Sequence, residues 1–150
     1  MISSRRQSVT KLYNLALEIA KEAHKDQKDK AGVDYIQHPI FVASLVDSEE
    51  EKAAALLHDV IEDSDFTLSD LLERGVPGEV LQAVSILTKS KQLSYQQYLE
   101  RVKSNELARK VKLADLRHNS DISRIQNPSE IDFERIKKYN AAIEYLNNES

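Results

Sequence analysis

From Leu12 onward the apolar positions Leu12, Leu15, Ala16, Ile19, Ala20 and Ala23 recur at i, i+3, i+4, i+7, i+8 and i+11, the single stripe of an amphipathic helix. The stripe then stops. Residues 25–37 are mostly polar and read as a loop that carries Lys25, Lys28, Lys30 and Gly32. His38-Pro39 ends that loop, and Pro39 suits the first turn of a helix running through Phe41, Val42, Leu45 and Val46. The acidic run Asp47-Ser48-Glu49-Glu50-Glu51 suits the start of the next helix, where the macrodipole favours negative charge. That helix is expected to continue through Ala53, Leu56, Leu57, Val60 and Ile61 as the most apolar of the chain. Thr67-Leu68-Ser69-Asp70 has the form of a capping box and opens a short helix that Gly75 stops. Further helical stretches fall at 79–87, 94–103, 106–118 and 130–146, the last marked by Phe133, Ile136, Tyr139, Ile143 and Leu146. The pattern predicts an all-α bundle of about eight helices, with no strand alternation and no Asn-Gly hairpin signal.

Composition bounds this picture. A chain of 150 residues, 41% hydrophobic and 31% charged, suits one globular domain spanning residues 1–150. With no cysteine there is neither a disulfide nor a thiolate metal site, so any metal must be held by His, Asp or Glu. The net charge of −4, with Lys and Arg mixed among Asp and Glu, argues against a nucleic-acid polymer as partner and leaves room for a small phosphorylated ligand. Met1-Ile2-Ser3-Ser4-Arg5-Arg6 has no apolar segment behind its charges, and nothing later approaches a run of about 18 apolar residues. A cytoplasmic protein without a membrane partner is the expectation.

Three sets of polar residues stand where apolar ones belong. His58 and Asp59 interrupt the apolar helix between Leu57 and Val60, and burying such groups is costly unless they are paired or bound to a metal. Asp115 follows Val111 by four residues and Ala108 by seven, on the apolar stripe of its own helix. His38, at the start of another helix, offers a further nitrogen donor. Taken singly, each suits a satisfied core histidine or a capped carboxylate. Together, two imidazoles and two carboxylates form a mixed nitrogen and oxygen set that suits Mn²⁺, Fe²⁺ or Zn²⁺ better than Ca²⁺ or Mg²⁺. Glu62 and Asp63 follow His58 by four and five residues, so a continuing helix brings at least Glu62 to the same side. There a carboxylate can orient or deprotonate a water. His118 shares a face with Asp115 and reads as packing or as support behind the ligands; His24 reads as structural.

These residues carry a family likeness. An early His38, the pair His58-Asp59 and a distant Asp115 form the H…HD…D pattern of HD-domain phosphohydrolases. Three surrounding segments sharpen it: Tyr35-Ile36-Gln37-His38-Pro39, residues 54–63 and residues 111–119. Each resembles a segment of the hydrolase domain of RelA/SpoT-type alarmone enzymes. The resemblance runs from about Leu12 to Leu146 and favours the stand-alone small alarmone hydrolases, since the chain has no room for a synthetase domain.

The resemblance implies a single HD-domain bundle, Mn²⁺ or another divalent transition metal, and removal of the 3′-pyrophosphate from (p)ppGpp, the alarmone of the stringent response. By likeness, His38, His58, Asp59 and Asp115 map onto the metal ligands and Glu62-Asp63 onto the acidic pair beside the metal. Asn119 maps onto a residue facing ribose and phosphates, and Arg135 with Tyr139 onto a pair that contacts phosphate and base. Lys28 and Lys30 match the family's basic loop, which is slightly shorter here and has Asp29 where a second basic residue is common. That departure keeps two alternatives in view. One is another phosphorylated nucleotide, such as a deoxynucleoside monophosphate or NADPH; the other is a non-catalytic nucleotide-binding module.

Overall fold

The computed structural model describes residues 2–148, with side chains from residue 11 onward; Met1, Glu149 and Ser150, which the single-domain expectation also covers, lie outside the described residues. In chain order the helices are α1 (Ile2–Ala23), α2 (Gln37–Ser44), α3 (Glu49–Leu57), α4 (Val60–Asp63), α5 (Leu68–Glu73), α6 (Gly78–Leu87), α7 (Tyr95–Ser104), α8 (Glu106–Asn119) and α9 (Glu130–Asn147). A 3₁₀ turn at Ile122–Arg124 joins the last two. Among the described residues the only extended pairing is an isolated bridge between Lys28 and Asp34. No helix among them is long and apolar enough to cross a membrane.

Helix α3 is the centre of the bundle. Ala53, Ala54, Ala55, Leu56 and Leu57 are all fully buried, so the second half of this helix is apolar on every side, and α3 packs against α1, α2, α6 and α8. Its N-terminus is closed by a reciprocal cap: Ser48 Oγ accepts the Glu51 N–H at 3.0 Å, and Glu51 Oε1 accepts the Ser48 N–H at 3.3 Å. The Thr67–Asp70 box expected at the start of α5 is present. Gly75, at φ +99°, ends α5 in the left-handed conformation that suits glycine.

Two expected helices are shorter than the apolar pattern suggests. α2 ends at Ser44 rather than running through Val46: the Leu45 and Val46 N–H groups fall back to the carbonyls of Val42 and Ala43, and Lys52 Nζ donates to the carbonyls of Ala43 (3.1 Å) and Val46 (2.7 Å). The helix expected through Val60 and Ile61 breaks at His58-Asp59 into α3 and α4. The His58 imidazole supplies the reason. Its Nδ1 lies 2.5 Å from the Ala55 carbonyl, the acceptor that a continuing helix needs for the Asp59 N–H. Helical bonding resumes only with the Asp63 N–H on the Asp59 carbonyl at 3.0 Å.

The polar loop between α1 and α2 is internally built. Asp29 Oδ1 accepts the N–H groups of Ala31 (2.8 Å) and Val33 (3.0 Å), Gly32 takes φ +83°, and Lys28 pairs with Asp34 at 2.5 Å.

Candidate functional site

His38 sits in the first turn of α2, His58 and Asp59 at the break between α3 and α4, and Asp115 on the buried face of α8. Packing of α2, α3 and α8 brings them together. His38 Nε2 is 2.8 Å from Asp115 Oδ1, and His58 Nε2 is 3.4 Å from the same oxygen. Asp59 Oδ2 lies 3.0 Å from His58 Nε2 and 4.0 Å from His38 Nε2. One potential ligand atom each from His38, His58 and Asp115 lies within 4.8 Å of the others, and Asp59 stands beside this group through its contacts with the two imidazoles.

The donor chemistry fits a divalent cation. Because the Ala55 carbonyl takes the proton of His58 Nδ1, His58 Nε2 presents a lone pair. That atom is buried and makes no hydrogen bond, although two carboxylates stand beside it. A lone pair facing carboxylate oxygens is repulsive unless a positive charge lies between them. A proton on His58 Nε2 supplies that charge just as a bound cation would, and the titration behaviour shows how strongly the carboxylates call for it. Burial pushes the His58 imidazole down, yet Asp59 and Asp115 outweigh it and raise it well above the ordinary value. Burial pushes the Asp115 carboxyl up, but Lys112, His58 and His38 hold it well below the usual range. Burial likewise opposes ionisation of Asp59, which His58 and the Tyr35 hydroxyl bring down to about 2.

The candidate ligands are held from behind. The Tyr35 hydroxyl donates to Asp59 Oδ2 at 2.5 Å. Lys112 Nζ donates to Asp115 Oδ2 at 3.1 Å, and Asn119 Nδ2 donates to Asp115 Oδ1 at 3.0 Å. His38 Nδ1 meets His118 Nδ1 at 2.7 Å.

The acidic pair divides. Glu62 Oε1 accepts the Lys89 N–H at 2.6 Å, tying α4 to the end of α6. Asp63 has its backbone carbonyl bonded by Gln27 Nε2 at 2.8 Å. Loss of surrounding water, with Asp59 and Glu62 close by, raises its carboxyl to about 6.

Lys28, Lys30, Asn119, Arg135 and Tyr139 all line one cavity of about 400 Å³, together with Tyr35, Asp121 and Arg124. Arg135 and Tyr139 are one turn apart on α9, so they share a face. Since Tyr35 and Asn119 also bond Asp59 and Asp115, this cavity borders the ligand cluster. A second cavity of about 560 Å³ shares Asp29, Ala31 and Arg124 with it and reaches His38, Phe41 and His118. Sequence reasoning did not single out Tyr35 or Arg124. Tyr35 was legible as the first residue of the Tyr-Ile-Gln-His-Pro segment; Arg124, beyond the end of α8, carries no local signal.

Comparisons with known proteins agree with this arrangement. A family model described as HD domain matches residues 16–122. The guanosine-3′,5′-bis(diphosphate) 3′-pyrophosphohydrolase of Haemophilus influenzae is 37% identical over 115 residues, which are 67% of this chain and 17% of that protein. The chain therefore spans under a fifth of that long relative. The guanosine-3′,5′-bis(diphosphate) 3′-pyrophosphohydrolase MESH1 of Danio rerio is 34% identical over 137 residues, covering 82% of this chain and 75% of that protein. The Mus musculus MESH1 is 35% identical and covers 83% and 76%. A solved structure of a metazoan ortholog of SpoT, described as hydrolyzing ppGpp, superposes with a TM-score of 0.71 at 27% identity, over 90% of this chain and 83% of its own. With His38, His58 and Asp115 gathered in one buried cluster, Asp59 beside it, and these matches across most of its length, the chain belongs to the HD-domain family.

Proposed function

We propose that this protein is a metal-dependent phosphohydrolase that removes the 3′-pyrophosphate of (p)ppGpp. One observation carries the reading: Tyr35 and Asn119 bond the carboxylates of Asp59 and Asp115 and also line the cavity that gathers Lys28, Lys30, Arg135 and Tyr139. A cavity lined by cationic side chains and the candidate metal ligands thus share a wall, which supports phosphate binding beside a metal. The similarity to pyrophosphohydrolases of the small MESH1 type supports the same substrate.

A divalent metal, with Mn²⁺ the first candidate, held by His38, His58, Asp59 and Asp115 supplies Lewis acidity and lowers the pKa of water. The chain's own residues do the rest. Lys30, Arg135 and Arg124 neutralise phosphate charge at the cavity wall, Lys28 adds to this from its pair with Asp34, and Tyr139 offers a face to the base. The Asp63 carboxylate accepts a proton from the attacking water, and Glu62 orients that water while it holds the Lys89 amide. Water adds to the phosphorus on the ribose 3′ oxygen, the P–O bond to that oxygen breaks, and the proton passes to the 3′ oxygen as pyrophosphate leaves. No covalent enzyme intermediate is needed. The net charge of −4 favours a small ligand over a nucleic-acid polymer, and the reading puts a single-domain enzyme in the cytoplasm with free nucleotides.

The test is a panel of ppGpp, deoxynucleoside monophosphates and NADPH, incubated with Mn²⁺-loaded protein and resolved by chromatography. Pyrophosphate from ppGpp is the expected product. Inorganic phosphate from NADPH or a monophosphate moves the substrate to that class, and binding without turnover makes the chain a nucleotide-binding module.

A further inference from the structure

We infer that His118 is a positioning residue of the metal centre: it accepts the Nδ1–H of His38 and so commits the His38 Nε2 lone pair to the metal. The inference rests on the metal-centre reading above and adds a residue to it.

His38 is 8% exposed, and both its ring nitrogens are engaged, Nε2 with Asp115 Oδ1 at 2.8 Å and Nδ1 with His118 Nδ1 at 2.7 Å. A neutral imidazole carries one N–H, so an Nε2 that binds a metal forces the proton onto Nδ1. A buried Nδ1–H needs an acceptor, because an unpaired buried donor loses its bond to water and gains nothing in return. His118 Nδ1 stands at that place. Metal ligands commonly donate their second ring N–H to a backbone carbonyl or carboxylate, as His58 does to Ala55. For His38 a second imidazole fills that role, with its own proton on Nε2.

The register of two helices builds the pair. On α2, His38 and Phe41 are three residues apart; on α8, so are Asp115 and His118, and each spacing puts its two residues on one face. The facing pairs interleave. The His118 ring stacks on Phe41 at 4.3 Å between centroids with 22° between planes, and on His38 at 4.9 Å with 13°. Arg124 Nη1 donates to the His118 carbonyl at 2.9 Å and holds the end of α8 in place. Without a metal, His38 Nε2–H donates to Asp115, and His118 must then act as the donor. Loading the site therefore reverses the Nδ1 to Nδ1 bond, which only a group able both to give and to accept allows.

The test replaces the acceptor while keeping the stack. His118→Phe keeps a flat ring between Phe41 and His38 but accepts nothing; His118→Asn returns an oxygen near the Nδ1 position. Mn²⁺ affinity is measured by competition with a chelating dye, with no nucleotide present, after circular dichroism has shown both variants folded. His118→Phe should weaken Mn²⁺ binding by about 10–100-fold, and His118→Asn should recover most of the loss. Long-range ¹H–¹⁵N spectra of the diamagnetic Zn²⁺-loaded wild type should show His38 protonated at Nδ1 alone. Equal Mn²⁺ affinity in His118→Phe and wild type overturns the role of His118 and leaves the metal centre standing, as does a His118→Asn variant as weak as His118→Phe. A folded wild type that binds no Mn²⁺ overturns the metal centre and this inference together.

Discussion

At the scale of single residues, Asp59 and Asp63 are separated by one turn and have opposite electrostatics. Asp59 is held ionised by His58 and Tyr35, so its charge is available to a metal at any working pH. Asp59→Ala removes that charge from the edge of the cluster without touching the buried apolar face of α3. Metal content by elemental analysis and turnover should both collapse while helicity is kept; stoichiometric metal in the variant would remove Asp59 from the site. Asp63 is raised from an ordinary 3.8 to about 6. A carboxyl whose folded pKa lies above its unfolded one binds its proton more tightly when folded, so its stabilising contribution is present below about pH 4 and is lost as pH rises through about 6. Metal-free Asp63→Asn should therefore melt above wild type at pH 8, with the gap closing as pH falls toward 4. The group is solvent-accessible, and screening limits the gap to something on the order of 1 kcal/mol. With metal, the same variant should lose about 10²–10⁴-fold in turnover, which single-turnover kinetics would read.

At the scale of elements, α3 and the break that follows it position the centre. The Ser48 and Glu51 cap sits at the opposite end of α3 from His58, and Glu51 also pairs with Lys110 of α8 at 3.3 Å. Ser48→Ala removes an acceptor at the N-terminus and should cost about 1 kcal/mol. For a domain of this size that lowers Tm by roughly 2–4 °C. Metal affinity should stay unchanged, because the far end of the helix is held by its own core; calorimetry beside a metal titration checks both. In the loop before α2, Asp29 is not an idle replacement for a basic residue, since it gathers the amides of Ala31 and Val33 and shapes the wall that both cavities share.

At the scale of the whole molecule, three helices from distant parts of the chain meet at a cluster that holds two carboxylates, so a cation bound there is linked to folding. His38, His58 and Asp115 are all buried, and bringing Asp59 and Asp115 together without a cation works against the fold. Metal at about 100 times its Kd adds roughly 2.7 kcal/mol to stability. Chelation should accordingly lower Tm by about 5–10 °C with little change in far-ultraviolet dichroism at 25 °C. An unchanged Tm after verified metal removal would show that the bundle gains nothing from the site.

Most of the helices and the gathering of buried ionisable residues were legible in the chain itself. The stripe from Leu12 to Ala23, the Thr67–Asp70 cap and the stop at Gly75 are set by neighbours within a turn or two, where the 3.6-residue period acts. His58-Asp59 and Asp115 declared themselves because charged groups on apolar stripes need partners. What only the tertiary structure decided lies between elements. The break after Leu57 depends on the His58 side chain taking the Ala55 carbonyl, a choice that periodicity does not encode. The Tyr35 bond to Asp59 spans 24 residues and the His38 contact with His118 spans 80. Glu62, expected only beside the metal, also holds the Lys89 amide 27 residues away. Such pairings are set by how α2, α3 and α8 pack, and side-chain directions across an interface follow from crossing geometry rather than from spacing along one helix.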